Sequence, residues 1–263
     1  MNANAAVSDS PAEGPLVRVE RDAAVARLTL NRAAKYNVLS AAMIAALEAA
    51  LAALATDPEV RVIVLAAEGK AFSAGHDLAE MGADRSLDDF RALFADCSRL
   101  MLAIQRQPQP VIARVQGVAT AAGCQLVGMC DLAVASSSAR FAVSGINLGL
   151  FCATPSVALG RNVARKPALE MLLTGEFIDA ATARERGLVN RVVAPEALDQ
   201  VIGRIAAAIA AKSPAAIAAG KRLFYAQLEL GIEAAYDLAG EAMACNAIAD
   251  DTRRGIAAFT KRG

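Results

Sequence analysis

The chain has 263 residues, 56% apolar and 21% charged, with 27 basic side chains balanced by 27 acidic ones. That length suits one large domain or two small ones, and a net charge of zero gives no global field to gather nucleic acid. The same figures exclude disorder for the bulk of the chain and any fibrous repeat.

Residues 1–14 have neither the basic nor the apolar region of a signal peptide and read as a flexible tail. Val25-Ala26-Arg27-Leu28-Thr29-Leu30 alternates as a half-buried strand does. Ser40 can cap a helix reaching about Thr56, with Met43, Ile44, Leu47, Leu51 and Leu54 on one face. The β-branched run at 60–66 predicts a strand. A small-residue loop at 72–75 follows, and then Asp77-Leu78-Ala79-Glu80, which fits a capping box with Asp77 as N-cap. A helix is expected over 86–105, with Phe90, Leu93, Phe94, Cys97, Leu100 and Met101 facing inward.

Strands are expected at 111–115 and 132–135, separated by small residues through Gly123 and a short helix near 124–130. Asp179 caps a helix that stops at Gly187, a plausible C-terminal glycine, and a strand is expected at 188–193. Ser213-Pro214 supplies an N-cap with proline at the first helical position, and the rest of the chain reads as helix. The expected organisation is a tail (1–14), an α/β core (15–200) and a C-terminal helical region (201–263).

Five cysteines, Cys97, Cys124, Cys130, Cys152 and Cys245, are odd in number and lack Cys-x-x-Cys spacing. No disulfide framework or zinc ribbon is indicated, and a reducing compartment, the cytoplasm, is expected. His76 is the single histidine, which excludes a multi-histidine metal site. No metal and no separate cofactor are expected. The uncharged run at 141–160 is long enough to span a bilayer, but Ser144, Gly145, Asn147, Thr154 and Ser156 argue against a lipid-facing helix.

Two segments share one design, a buried strand followed by a small-residue loop and a helix start. The first runs from Val62-Ile63-Val64-Leu65 to Ala74-Gly75-His76-Asp77, and the second from Val111-Ile112-Ala113 to Ala121-Ala122-Gly123-Cys124-Gln125. A helix start presents unpaired N–H groups, and small side chains let a ligand approach them closely. Two such starts aimed at one point would hold a developing oxyanion. On pattern alone they are equally ordinary βα turns. Neither a P-loop nor a Gly-x-Gly-x-x-Gly fingerprint is present.

The string Lys70-Ala71-Phe72-Ser73-Ala74-Gly75-His76-Asp77-Leu78 resembles the enoyl-CoA hydratase/isomerase (crotonase) superfamily. So do Leu30-Asn31-Arg32 with Asn37, Gly117-Val118-Ala119 through Gln125, and Met129-Cys130-Asp131. Leu173-Thr174-Gly175-Glu176, Gly187-Leu188-Val189 and Gly255-Ile256-Ala257-Ala258-Phe259 extend the resemblance over about 17–262. Its wording is closest to the subgroup called enoyl-CoA hydratase domain-containing protein three.

The resemblance implies an α/β spiral of ββα units with a C-terminal helical extension. It also implies acyl-CoA thioester substrates and a homotrimer or dimer of trimers. The thioester oxygen would sit between the amides of His76 and Ala122. Ala34, Tyr36, Lys70, Ala74, Asp77 and Leu78 would line the CoA side, with Phe259 and Arg262 reaching a neighbour's CoA. The two glutamates used by hydratases of this family fall at Gln125 and Gly145.

Hydration needs a base to activate water and an acid to protonate Cα, and neither Gln125 nor Gly145 can serve. Candidate replacements have bland readings beside them. The His76 imidazole can enter the pocket as a base, or turn away while its amide binds, and the second is preferred. Asp77 reads better as a cap than as an acid. Ser144, Cys152 and Thr154 follow the missing glutamate and could line the acyl pocket, while Tyr36 and Tyr225 read as packing residues. The leading expectation is an acyl-CoA-binding member of the family, nominally a hydratase, with weak or altered chemistry. The alternatives are thioester hydrolysis or decarboxylation, a non-catalytic acyl-CoA binder, and, last, a serine peptidase.

Overall fold

The computed structural model describes residues 14–82 and 84–261. The alternating segment is the second arm of a hairpin, with β1 (Val17–Asp22) antiparallel to β2 (Val25–Leu30) and Val17 opposite Leu30. Ser40 caps α1 (Ala41–Ala55) by accepting from the Met43 amide at 3.2 Å. The residues α1 buries are Met43, Ile44, Leu47, Leu51 and Leu54, the face expected from their spacing. Next come β3 (Val62–Ala67), β4 (Ala71–Ser73) and α2 (Leu87–Arg106), then β5 (Val111–Val115), β6 (Val118–Thr120) and α3 (Ala122–Met129).

A third round brings β7 (Leu132–Ser136), β8 (Arg140–Ala142) and α4 (Ala153–Asn162). The chain then runs through α5 (Arg165–Thr174), β9 (Ile178–Asp179), α6 (Ala180–Glu185) and β10 (Arg191–Val193). It closes with α7 (Leu198–Ala210), α8 (Pro214–Gln227), α9 (Ile232–Ala247) and α10 (Asp250–Thr260).

Three consecutive ββα rounds build two sheets at once. The longer strand of each round joins a six-stranded sheet of order β1-β2-β3-β5-β7-β10, and the shorter one joins a four-stranded sheet of order β4-β6-β8-β9. This is the expected spiral. Of the longer strands, β3 is apolar throughout and β5 and β7 nearly so, with Arg114 and Ser136 as the exceptions, because both faces are covered. On one face of the sheet, Leu198, Val201, Ile202 and Ala206 of α7 pack on Val62, Val64, Ile112 and Val134. The main core, with Leu28, Leu65, Phe72, Leu100 and Leu126, fills the other side.

The strands of the small sheet are not legible in the local sequence pattern, although ββα units imply them. They have three residues or fewer, too short to show an alternation, and β6 lies inside the segment read as loop. The strand expected at 188–193 contracts to Arg191–Val193.

The capping box at Asp77 does not form either, and the chain makes only a turn there. Asp77 Oδ1 accepts from the Ala79 amide at 3.0 Å, while Glu80 Oε2 caps α1 instead, accepting from Ala41 at 2.8 Å. A few residues are too short a stretch to meet the cost of nucleating a helix, and the α1 N-terminus offers Glu80 a better electrostatic partner. The capping box of this region is Ser86 with Asp89, which opens α2.

The C-terminal helices sit differently. Neither α8 nor α10 buries a residue, and α9 buries only Ala235. What ties α8 to the core is one charge pair. Lys221 Nζ donates to Asp131 Oδ2 at 2.6 Å and to the carbonyls of Ile104 and Gln109 at 3.0 and 3.2 Å. Asp131 also accepts from the Val111 amide at 2.7 Å and from the Tyr225 hydroxyl at 2.9 Å. Burial pushes the Lys221 pKa down, against the pull of Asp131, and burial beside the same carboxylate pushes the Tyr225 phenol up. Removing Asp131 leaves a buried ammonium without its counter-ion. Asp131→Ala is therefore expected to cost about 3–5 kcal/mol in urea unfolding. A loss under about 1 kcal/mol would show that this pair does not hold α8 to the core.

Candidate functional site

The site is built by the small sheet. Parallel pairing of β4 with β6, Ala71 against Val118, lays the segment after Ser73 beside the segment after Thr120. Gly75 has φ +89°, and a Cβ placed on it would lie 2.9 Å from the Ala121 Cβ and 3.1 Å from the Ala122 nitrogen. Only glycine permits that approach. The Leu39 amide donates to the Gly75 carbonyl at 2.7 Å, which fixes the backbone ahead of His76. Among the described residues, no acceptor pairs with the amide of His76 or of Ala122.

Ala122 opens α3 with a helical backbone, so alanine is unstrained there. The strain lies one residue earlier, where Ala121 has φ +50° and ψ −121°. That conformation favours glycine, and it costs alanine on the order of 1–3 kcal/mol. The turn places the Ala121 amide on the Ala142 carbonyl at 3.0 Å and starts α3 with the Ala122 amide leading.

A cavity of about 220 Å³ opens beside these two loops. Of the residues expected at the site, Ala74, His76, Leu78, Ala122 and Gly145 line it, and so do Ser144, Cys152 and Thr154. Gln125 does not: it is a buried residue of α3, 4% exposed, with its side-chain oxygen unpaired. The turn at 33–35 and the approach to β4 keep Ala34, Tyr36 and Lys70 outside the lining, and Asp77 is engaged in its own turn.

Tyr36 borders the site, since its carbonyl accepts from the Ala74 amide at 3.0 Å. Its ring is half exposed rather than packed, with the Lys70 ammonium 5.9 Å from the centroid. Phe259 is 81% exposed on α10 and lines nothing here, and Arg262 lies outside the described residues.

The residues missed from the sequence are apolar: Met81, Phe94, Leu148, Leu150 and Phe151 form much of the wall. Phe94 belongs to the inward face expected of α2, the uncharged run at 141–160 signals Leu148, Leu150 and Phe151, and no pattern in the sequence marks Met81.

Two ionisable groups belong to the lining, and neither is set up as a charge. The His76 ring packs edge-on against Phe94 at 5.6 Å, with both nitrogens shut off from solvent and without a hydrogen-bond partner. Burial lowers its pKa from the ordinary 6.5, opposed by the Leu39 backbone and the Glu80 carboxylate. The backbone is what His76 leaves available to a ligand. Burial likewise pushes the Cys152 thiol up, partly offset by the Gly145 amide, which donates to Sγ at 3.3 Å.

Gly145 is walled in. A Cβ there would lie 2.6 Å from the Leu150 carbonyl oxygen and 2.7 Å from the Cys152 Sγ. No longer side chain fits at this position unless the loop at 145–152 moves.

Two outcomes follow from these environments. A histidine held neutral by burial binds fewer protons folded than unfolded, so stability falls as pH drops below 6.5 and is unaffected above it. His76→Phe should remove that part of the slope in unfolding curves taken between pH 7.5 and 5, and unchanged slopes would contradict it. Ala121→Gly should raise stability by about 1 kcal/mol, because relief of strain exceeds the usual 0.5–1 kcal/mol cost of a glycine. A lower melting temperature would show that Ala121 is not strained.

The profile of the enoyl-CoA hydratase/isomerase family matches residues 20–263. The Xenopus laevis protein named enoyl-CoA hydratase domain-containing protein 3, mitochondrial, is 45% identical over 248 residues, 94% of this chain and 84% of its own. An enoyl-CoA hydratase structure from Mycobacterium smegmatis is 59% identical, with a TM-score of 0.93 over 94% of this chain and 97% of that one. The human enoyl coenzyme A hydratase domain-containing protein 3 structure is 42% identical, with a TM-score of 0.92 over 94% and 98% of the two chains.

Proposed function

The chain belongs to the enoyl-CoA hydratase/isomerase family, and from that premise we propose that it holds an acyl-CoA thioester with the carbonyl oxygen between the amides of His76 and Ala122. What supports this reading is the 3.1 Å approach of the Gly75 Cβ position to the Ala122 nitrogen beside a cavity lined by both His76 and Ala122, whose amides have no acceptor among the described residues. Each preorganised donor of this kind lowers the barrier to enolate formation by roughly 3–4 kcal/mol. Tyr36 borders the cavity, with the Lys70 ammonium over its ring, and the rest of CoA would leave on that side.

The second half of the proposal concerns what is missing. Adding water across a conjugated double bond needs one group to take a proton from water and another to deliver one to Cα. Among the described residues, no Asp or Glu lines the cavity. The Gln125 amide cannot take a proton, and at Gly145 the Leu150 carbonyl and Cys152 sulfur occupy the space a carboxylate side chain would need. The cavity is thus equipped to polarise a thioester and not to hydrate it, which favours an acyl-CoA binder over a hydratase.

A homotrimer or dimer of trimers goes with this reading. Phe224, Ile232, Tyr236, Met243 and Phe259 on the C-terminal helices are each more than half exposed, an apolar surface suited to another subunit. The compartment is inferred to be a reducing one, because all five cysteines are free. The cytoplasm meets that condition. The mitochondrial names of the vertebrate relatives point elsewhere, so the cytoplasmic expectation has no support from them. Among the described residues, no single helix is long and apolar enough to cross a membrane.

Crotonyl-CoA, followed by loss of its enoyl absorbance, should be consumed at the uncatalysed rate by the wild type. The double variant Gln125→Glu, Gly145→Glu should be no faster, since the 145–152 loop leaves no room for the second carboxylate. Rapid hydration by the wild type would overturn the claim that the chemistry is lost. A thiol reagent in the same assay detects CoA release, and a steady release would make the protein a thioesterase.

A further inference from the structure

We infer that Glu80 is a positioning residue, whose bond to the Ala41 amide closes a clamp around His76 and holds the 77–82 turn beside the thioester site. The inference deepens the thioester reading above and rests on it.

The clamp is built by residues 37–41, which run alongside 73–80. The Ser73 hydroxyl donates to the Asn37 carbonyl at 2.9 Å, and the Leu39 amide donates to the Gly75 carbonyl at 2.7 Å. Leu39 and His76 pair as a parallel bridge. Two residues on, the Ala41 amide donates to Glu80 Oε2 at 2.8 Å. One bond thus precedes His76 in the chain and the other follows it. The second joins a carboxylate to the first turn of α1, and such a charge-assisted bond is stronger than one between neutral groups.

Little else fastens the turn. None of residues 77–82 is buried, so apolar burial contributes little to holding them. Among the described residues, their other hydrogen bonds stay within 77–85: Asp77 with the amides of Ala79 and Glu80, Leu78 with Met81, and Gly82 with Arg85. A segment with few buried contacts opens at low cost unless a specific bond holds it. Yet Leu78 and Met81 line the cavity together with His76, so that wall moves with the turn. The Glu80 carboxylate also stands close enough to the His76 ring to oppose the effect of burial on it.

The bond can be cut from either end. Glu80→Ala removes the acceptor. Ala41→Pro removes the donor and keeps α1, because proline suits the first helical position and Ser40 before it is already extended, with ψ 162°. Titration calorimetry with hexanoyl-CoA and with free CoA reads the outcome. Each variant should bind hexanoyl-CoA about tenfold more weakly than the wild type. Free CoA should lose far less, because it has no acyl carbonyl for the His76 amide to hold. The double variant should be no weaker than either single one, since both changes remove the same bond. Ala41→Pro alone still reads the bond where Glu80→Ala does not fold.

Unchanged hexanoyl-CoA affinity in the variants would overturn the positioning role while leaving the thioester reading intact. An equal loss for free CoA would overturn it too, because that marks a general loosening of the protein. Additive losses in the double variant would show that the two residues do not act through their shared bond, and would also overturn it. A wild type that binds hexanoyl-CoA no better than free CoA would remove the thioester reading itself, and the positioning role with it.

Discussion

The close approach of two main-chain segments governs this structure. The backbone at Gly75 comes so near Ala122 that no side chain fits between them, and the pairing of two three-residue strands, β4 and β6, makes the approach possible. That contact brings His76 and Ala122 into the lining of one cavity and dictates small residues on both loops. It also puts Ala121 into a backbone conformation alanine resists. The spiral serves this purpose: each round contributes one long strand for the core and one short strand that positions a loop.

Main-chain and side-chain groups contribute to this cavity in different ways, and the proposed function depends on the first. The amides depend on backbone geometry and survive substitution of nearby side chains. Proton transfer depends on two particular side chains. At one of those positions Gln125 is buried away from the cavity lining, and at the other the 145–152 loop has closed around Gly145. The Leu150 carbonyl and the Cys152 sulfur occupy the space beside Gly145.

The C-terminal helices follow a different economy of contacts. They bury almost nothing within the chain, and α8 is fastened by one charge pair, Lys221 with Asp131, supported by Tyr225. The Met129-Cys130-Asp131 string, noticed in the sequence as part of a family pattern, acts here as a structural anchor remote from the cavity. Exposed Phe224, Tyr236 and Phe259 belong to the same region.

Much was legible in the residues alone. The cap at Ser40 and the inward face of α1, the strand at 111–115, and the Ser213-Pro214 start of α8 follow from local rules: a hydroxyl that satisfies an amide, a period that matches a helix, a ring that suits a first turn. The family, the paired loops and the absent carboxylates were equally readable, since they are statements about residue identity. The short sheet was not, because strands of two or three residues carry no period and exist only through their partners. The Asp77 turn was misread because its Glu80 is claimed by the distant α1 N-terminus. Which side chains line the cavity, the exclusion of Gln125 and the lack of room at Gly145 were likewise decided in three dimensions. Local sequence governs hydrogen bonds made within a few residues of a regular helix or turn, whereas contacts such as that of Glu80 with Ala41 depend on how the spiral closes.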